Sequence, residues 1–287
     1  MFKDLYINGT SVATGWGQGK EQINDTTYTG AWPHQFAEKH NVGNMWNHSI
    51  PSKPVELSIR DQKGFCEQYI QQGNNVDNLF TIVEFLLPQH PLLQPVYENN
   101  EDIIFPLIFH QDPLEINFTK DQEYLSYYAG TKKQPNYMSN EPIYTMPEVD
   151  VKLRSIHEEQ KTKYYNEEHN LSKRLYNVFV QIGFLQRWLH AKDIKFLMFW
   201  ACGGNELKNN NDQFAKLVDK AMLNLPYKHR FIPMTKFSCM NYGVLHSLKS
   251  NLNHPDAVGQ HHIAEYLDKY IITVSYTHLT LPTICSV

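Results

Sequence analysis

Two short segments carry residue types that can do nucleophilic chemistry. The first is Gly9-Thr10-Ser11, placed directly after the apolar run Asp4 to Asn8. A serine hydroxyl is a poor nucleophile until a base takes its proton, and a backbone N–H at such a turn can donate to a developing oxyanion. The second is Asn253-His254-Pro255-Asp256, which continues through Gly259, His261 and His262 to Ala264. Pro255 suits the first turn of a helix, and Asp256 complements the positive helix end. His254 is thereby expected on a rigid turn just before the last helix. Taken singly, Ser11 would suit a helix cap and His254 a surface loop. Their joint presence in one chain is what makes a functional reading of either worth weighing.

Other constellations are weaker. Gly15-Trp16-Gly17-Gln18-Gly19-Lys20 invites a phosphate-loop reading, but Thr14 holds the first glycine position and Glu21 follows the lysine, so neither nucleotide-binding pattern is met. Cys202 follows an apolar strand, where a cysteine is more often structural than reactive. His261 and His262 are neighbours and diverge on a helix. His254 with His261 lacks the carboxylate or third histidine of a metal site, so no metal and no cofactor are expected. Trp16, Trp32 and Trp46 could line a sugar crevice, although Trp32 has the spacing of a core helix residue. Glu84 interrupts the most apolar strand of the chain, so it is either paired or at the edge of a site.

Those residues need elements to hold them. Strands are expected at Asp4 to Asn8, Met45 to His48, Asn78 to Leu87 and Ile194 to Ala201, the third and fourth as central strands rich in β-branched and aromatic residues. Helices are expected at Trp32 to His40, from Pro54 to about Ile70, across Asp150 to Ala191 with a break near Asn170-Leu171-Ser172, at Asp212 to Leu225, and at Asp256 to Tyr270. Alternating strands and helices argue for an α/β fold with an open parallel sheet covered on both faces. The chemistry then belongs outside the carboxyl ends of the strands. Residues 92–150, rich in Tyr, Asn, Pro and acidic side chains, read as an irregular insertion or lid, and 151–191 as helical.

The first strand with Gly-x-Ser, followed late in the chain by His254-Pro255 and a helix carrying Gly259 and Ala264, resembles the SGNH (GDSL-like) hydrolase family. The Leu5-Tyr-Ile-Asn-Gly9 opening and the long helical insertion also resemble SGNH-like proteins carried by tailed bacteriophages. The family resemblance covers about residues 1–90 and 194–270. It implies a flavodoxin-like three-layer α/β/α sandwich, with Ser11 as nucleophile and His254 as its base. It places Asn251 where the family has the acid that orients the histidine. It also places Ser52 and Gln89 with Ser11 as the oxyanion donors. Thr10 replaces the family's Asp, Ser52 its Gly and Gln89 its Asn. Asn251 can orient an imidazole, but it cannot stabilise an imidazolium by charge. The implied activity is ester hydrolysis, with an acyl ester on a carbohydrate as one candidate substrate, through a Ser-His dyad or a Ser-His-Asn triad. The alternative is a catalytically impaired binding or virion-associated protein on the same fold.

Composition narrows the partners. The 287 residues carry 26 Lys and Arg against 30 Asp and Glu, a net charge of −4. No basic excess favours nucleic acid or an anionic membrane surface. No apolar run approaches the ~20 residues of a membrane span, and the opening residues lack a signal-peptide core, so a cytoplasmic protein is expected; a small-molecule or glycan ester as its substrate is what the family resemblance implies. The four cysteines do not form a disulfide framework. Residues Val274 to Thr283 resemble one reading frame of a sequencing-library adapter. Residues 1–273 are therefore expected to form a single domain, and 274–287 a non-native tail that includes Cys285.

Overall fold

The computed structural model describes residues 2–15, 30–50, 53, 55–86, 96–98, 101–104, 128–130, 137–138, 171–203, 213–249 and 254–279. Four strands form one parallel sheet: β1 (Asp4–Asn8), β2 (Asn44–Asn47), β3 (Leu79–Phe85) and β7 (Lys195–Trp200), in the order β2-β1-β3-β7. Three shorter strands, β4 (Val96–Glu98), β5 (Glu101–Ile104) and β6 (Tyr128–Gly130), pair antiparallel in a second sheet. The helices are α1 (Trp32–Lys39), α2 (Val55–Gln71), α3 (Leu171–Ala191), α4 (Gln213–Met222), α5 (Cys239–Leu245) and α6 (Ala257–Leu279).

The pleat divides the sheet's side chains between two apolar layers. Tyr6, Val83, Phe85, Met198 and Trp200 face one side and pack with Phe65 and Tyr69 of α2 and Val178, Ile182 and Leu185 of α3. Leu5, Ile7, Ile82, Leu197 and Phe199 face the other side and meet Trp32 and Phe36 of α1 and Ile263 and Leu267 of α6. Every residue of β3 is buried, as a strand covered on both faces requires. The result is the parallel sheet covered on both faces that the alternation of elements argued for, and the flavodoxin-like three-layer α/β/α sandwich that the resemblance implied.

Several elements differ from expectation. Among the described residues β7 is the last strand in the row, not a central one, and its outer edge is met by single bridges to Phe231 and Ser238. An apolar strand buried on both faces reads the same in either place. The antiparallel strands β4 to β6 give residues 92–150 regular structure that their composition does not signal. Tyr137, from the same region, is a core residue. Its ring fills the space beside Gly64, where a Cβ would come within 2.2 Å of it, and its N–H donates to Gln68 Oε1 at 2.8 Å. Of the helix expected across Asp150 to Ala191, α3 from Leu171 is described; residues 150–170, with the break expected near Asn170, lie outside the described residues. The last helix continues beyond Tyr270 to Leu279, so residues 274–279 are helical.

Candidate active site

The turn that carries Ser11 is built by close packing. β1 ends at Asn8, and Gly9 follows where the backbone leaves the sheet. A Cβ on Gly9 would lie 2.7 Å from Ala13 Cβ and 2.8 Å from Ser49 Oγ, so no side chain fits there. One helical turn then forms. Thr14 N donates to Thr10 O (3.2 Å), Gly15 N donates to Val12 O (3.1 Å), and Thr14 Oγ1 donates to Ser11 O at 2.7 Å. Gly15 ends the turn in the left-handed region, at φ +77°. Val12 and Ala13 are buried in the α1/α6 layer, which leaves Ser11 at the carboxyl edge of β1. The chain from β1 leads to β2 on one side, while β3 lies on the other. This reversal of strand order is where open α/β sheets form a crevice.

His254 arrives from the far end of the chain, held by the start of α6. The Asp256 carboxylate accepts the N–H of Gly259 (2.9 Å), which is a helix N-cap. It also accepts the N–H groups of Leu248 and Lys249, each at 2.8 Å. Asp256 N donates to Ser247 Oγ (3.0 Å) and that hydroxyl donates to Gly243 O (2.8 Å). Desolvation opposes ionisation of Asp256, but the donors from Gly259, Lys249, Ser247 and Leu248 outweigh it and hold the carboxyl below its ordinary range. Gly259 lets α6 approach α5: a Cβ there would sit 2.2 Å from Gly243 O.

These two constructions converge. Ser11 Oγ and His254 Nε2 are 2.8 Å apart, although 243 positions separate them in sequence. That is hydrogen-bond distance. Both residues are largely buried, with Ser11 7% and His254 6% exposed. Among the described residues nothing accepts the Ser11 N–H. Asn251, Ser52 and Gln89 lie outside the described residues, as do Trp16 and residues 17–20.

Glu84 lies beneath the turn that carries Ser11. The register pairs Asn8 with Val83, so Glu84 comes level with the segment that follows β1. Its Oε1 accepts the Thr10 N–H at 3.2 Å and the Thr10 hydroxyl in a shorter contact. Burial pushes the Glu84 carboxyl up to about 7, against the lowering effect of Thr10, Trp32 and Cys239. The indole and the thiol face the carboxyl, but Glu84 Oε2 and Trp32 Nε1 both fall outside strict hydrogen-bond geometry. Thr10 thus takes part in the site through a partner on the neighbouring strand, a role its position in the motif does not announce.

On the opposite face of β1, buried charges fasten the sheet edge. Lys53 Nζ lies 2.7 Å from Asp61 Oδ2, and both side chains are fully buried. The ammonium also donates to Asn8 Oδ1 (2.7 Å) and His48 O (3.1 Å). Asn8 Nδ2 donates to Ser58 O at 2.6 Å, and Tyr137 Oη to Asp61 Oδ1 at 3.1 Å. Burial lowers the proton affinity of Lys53, and Asp61 opposes that shift. Composition alone gives no sign of this network, because Lys53 and Asp61 look like surface residues of a helix start.

The remaining sequence candidates find quiet roles. Trp32 is fully buried, as its helical spacing implied. Burial, with Glu84 nearby, pushes the Cys202 thiol up to about 12, so it is protonated near neutrality. His261 Nδ1 meets Gln35 Oε1 at 2.9 Å. Among the described residues there is no cluster of three or more His, Cys, Asp or Glu able to hold a metal, and no helix long and apolar enough to cross a membrane.

No family model, curated protein or solved structure matches this chain. The functional reading therefore rests on the site's own geometry and on the motif resemblance.

Proposed function

We propose that the chain is a serine-dependent hydrolase of esters, of SGNH type, working through Ser11 and His254. The observation that carries the reading is the 2.8 Å contact between Ser11 Oγ and His254 Nε2 at the carboxyl edge of the sheet. In the proposed reaction Ser11 Oγ attacks the ester carbonyl carbon while His254 Nε2 takes the hydroxyl proton. The carbonyl oxygen becomes an oxyanion and receives the Ser11 N–H. In this reading Ser52 and Gln89 add donors and Asn251 orients the imidazole. Collapse of the intermediate breaks the bond to the leaving oxygen, and His254 gives that oxygen its proton. The acyl group stays on Ser11. Water then attacks it, His254 takes the water's proton and returns it to Ser11 Oγ, and the carboxylic acid leaves. No metal or cofactor enters the proposed cycle.

The structure of the turn supports this assignment over a simple capping role for Ser11, because its hydroxyl is directed to His254 while Thr14 occupies the Ser11 carbonyl. The finer suggestion of an acyl ester on a carbohydrate has no support from Trp32, which is buried in the core. The test is hydrolysis of p-nitrophenyl acetate by the wild type and by Ser11→Ala. The proposal expects turnover that falls by roughly 10³-fold or more in the variant. Equal rates would remove Ser11 from the mechanism, and no turnover by the wild type would favour a non-catalytic binding protein on this fold.

A further inference from the structure

Gln260 is a fully buried amide on an otherwise apolar face of α6, beside Ile263, Ala264 and Leu267. A buried amide is costly unless its donors and acceptor are satisfied. Its Oε1 accepts the N–H of Trp32 at the start of α1 (2.9 Å), and its Nε2 donates to Val12 O in the nucleophile turn (3.1 Å). The amide's orientation is decided by its partners, since a backbone N–H can only donate and a carbonyl can only accept. Val12 follows Ser11 directly, and α6 begins at Ala257, just after His254 in the chain. The Gln260 amide therefore joins the two segments whose relative placement sets the distance between Ser11 Oγ and His254 Nε2.

We propose that Gln260 is a positioning residue for the Ser11–His254 pair, clamping the nucleophile turn and the start of α1 onto the helix that follows the base. The proposal rests on the hydrolase reading above for its effect on turnover, but its geometric content stands apart from it. The mechanism is steric registration. Without the Nε2 donor, the Val12 carbonyl keeps, among the described residues, its bond from Gly15 N, and the turn loses its hydrogen bond to α6 while apolar packing remains. A shift of about 1 Å at a reacting group can cost on the order of 10²-fold in rate.

Two variants of similar size test it. Gln260→Met removes both bonds, whereas Gln260→Glu keeps an acceptor for Trp32 N–H and loses the donor to Val12 O. With p-nitrophenyl acetate, both are expected to lose about 10- to 100-fold in kcat while KM stays near the wild-type value. The imidazole 15N and 1H resonances of His254 are expected to move toward those of Ser11→Ala, because the hydroxyl partner is displaced. A residue that only stabilised the fold would lower the thermal midpoint and leave the kcat and ring signals of the folded protein unchanged. Folded Gln260→Met with wild-type kcat and wild-type His254 signals overturns the proposal. If that variant does not fold, the same result in Gln260→Glu overturns it. If the wild type hydrolyses no ester, the hydrolase reading fails, and the His254 resonances alone decide whether Gln260 places the pair.

Discussion

Glu84 Oε1 accepts both the backbone N–H and the hydroxyl of Thr10, the residue immediately before Ser11. The carboxyl is fully buried and its proton affinity is raised from the ordinary 4.5 to about 7. Below pH 4.5 it is protonated in both the folded and the unfolded chain. Above pH 7 the folded protein must carry a buried charge that the unfolded chain carries in water. Stability is therefore lost as pH rises from about 4.5 to about 7. Glu84→Gln abolishes this slope. Measured by urea unfolding, the variant should gain on the wild type between pH 5 and pH 8 by on the order of 2–3 kcal/mol. Parallel pH profiles for the two proteins would show that Glu84 does not titrate in this way.

Asp256 joins the His254 turn to α6 and to the segment at Leu248 and Lys249. Asp256→Ala removes a helix cap and two further acceptor contacts. The variant is expected to lose about 1–2 kcal/mol of stability, with a fall in kcat larger than its unfolded fraction explains. Asp256→Asn keeps an oxygen at the cap and should retain most of both. Chemical unfolding combined with steady-state kinetics measures the two effects, and an unchanged kcat in folded Asp256→Ala would detach this cap from the placement of His254.

Gly9→Ala places a methyl group against Ala13 Cβ and Ser49 Oγ. Both neighbours are buried, so overpacking should cost about 1–3 kcal/mol and push the Ser11 turn outward. Ser49→Ala in the same chain removes one of the two clashes and should recover part of the loss. A thermal midpoint for Gly9→Ala equal to the wild type would mean that the turn yields freely.

Lys53 and Asp61 form a fully buried ion pair. Lys53→Met takes the buried ammonium away from the Asp61 carboxylate, which keeps the half-exposed Arg60 guanidinium at 3.6 Å and the Tyr137 hydroxyl, with an expected loss of up to about 3–5 kcal/mol. Adding Asp61→Asn removes the buried negative charge and should restore much of the stability, a non-additive pattern that denaturant midpoints of the two singles and the double would reveal. Additive losses would argue against a coupled pair.

The sequence exposed those parts of the site that depend on local chemistry. Ser11 and His254 could be read because each sits beside residues with strong backbone preferences, Gly9 on one side and Pro255-Asp256 on the other. The strands β1 and β3 were legible because burial on both faces produces continuous apolar runs, and the same burial disguised the edge position of β7. Glu84 and Thr10 meet only through the β1–β3 register, which residue types alone do not specify. Lys53, Asp61 and Gln260 are polar residues in helices or beside their starts, a pattern that ordinarily marks a solvated face. Their burial depends on long-range packing, including Tyr137 from a region whose composition suggested no core. Helix α5, short and interrupted by Gly243, gave no periodic signal.

The central claim is that His254 activates Ser11, and covalent labelling with a fluorophosphonate tests it most directly. The account predicts one adduct, located on Ser11 by peptide mass mapping, that forms slowly or not at all in folded His254→Ala. Absence of the Ser11 adduct from the wild type, or equal labelling rates in the two proteins, would contradict it.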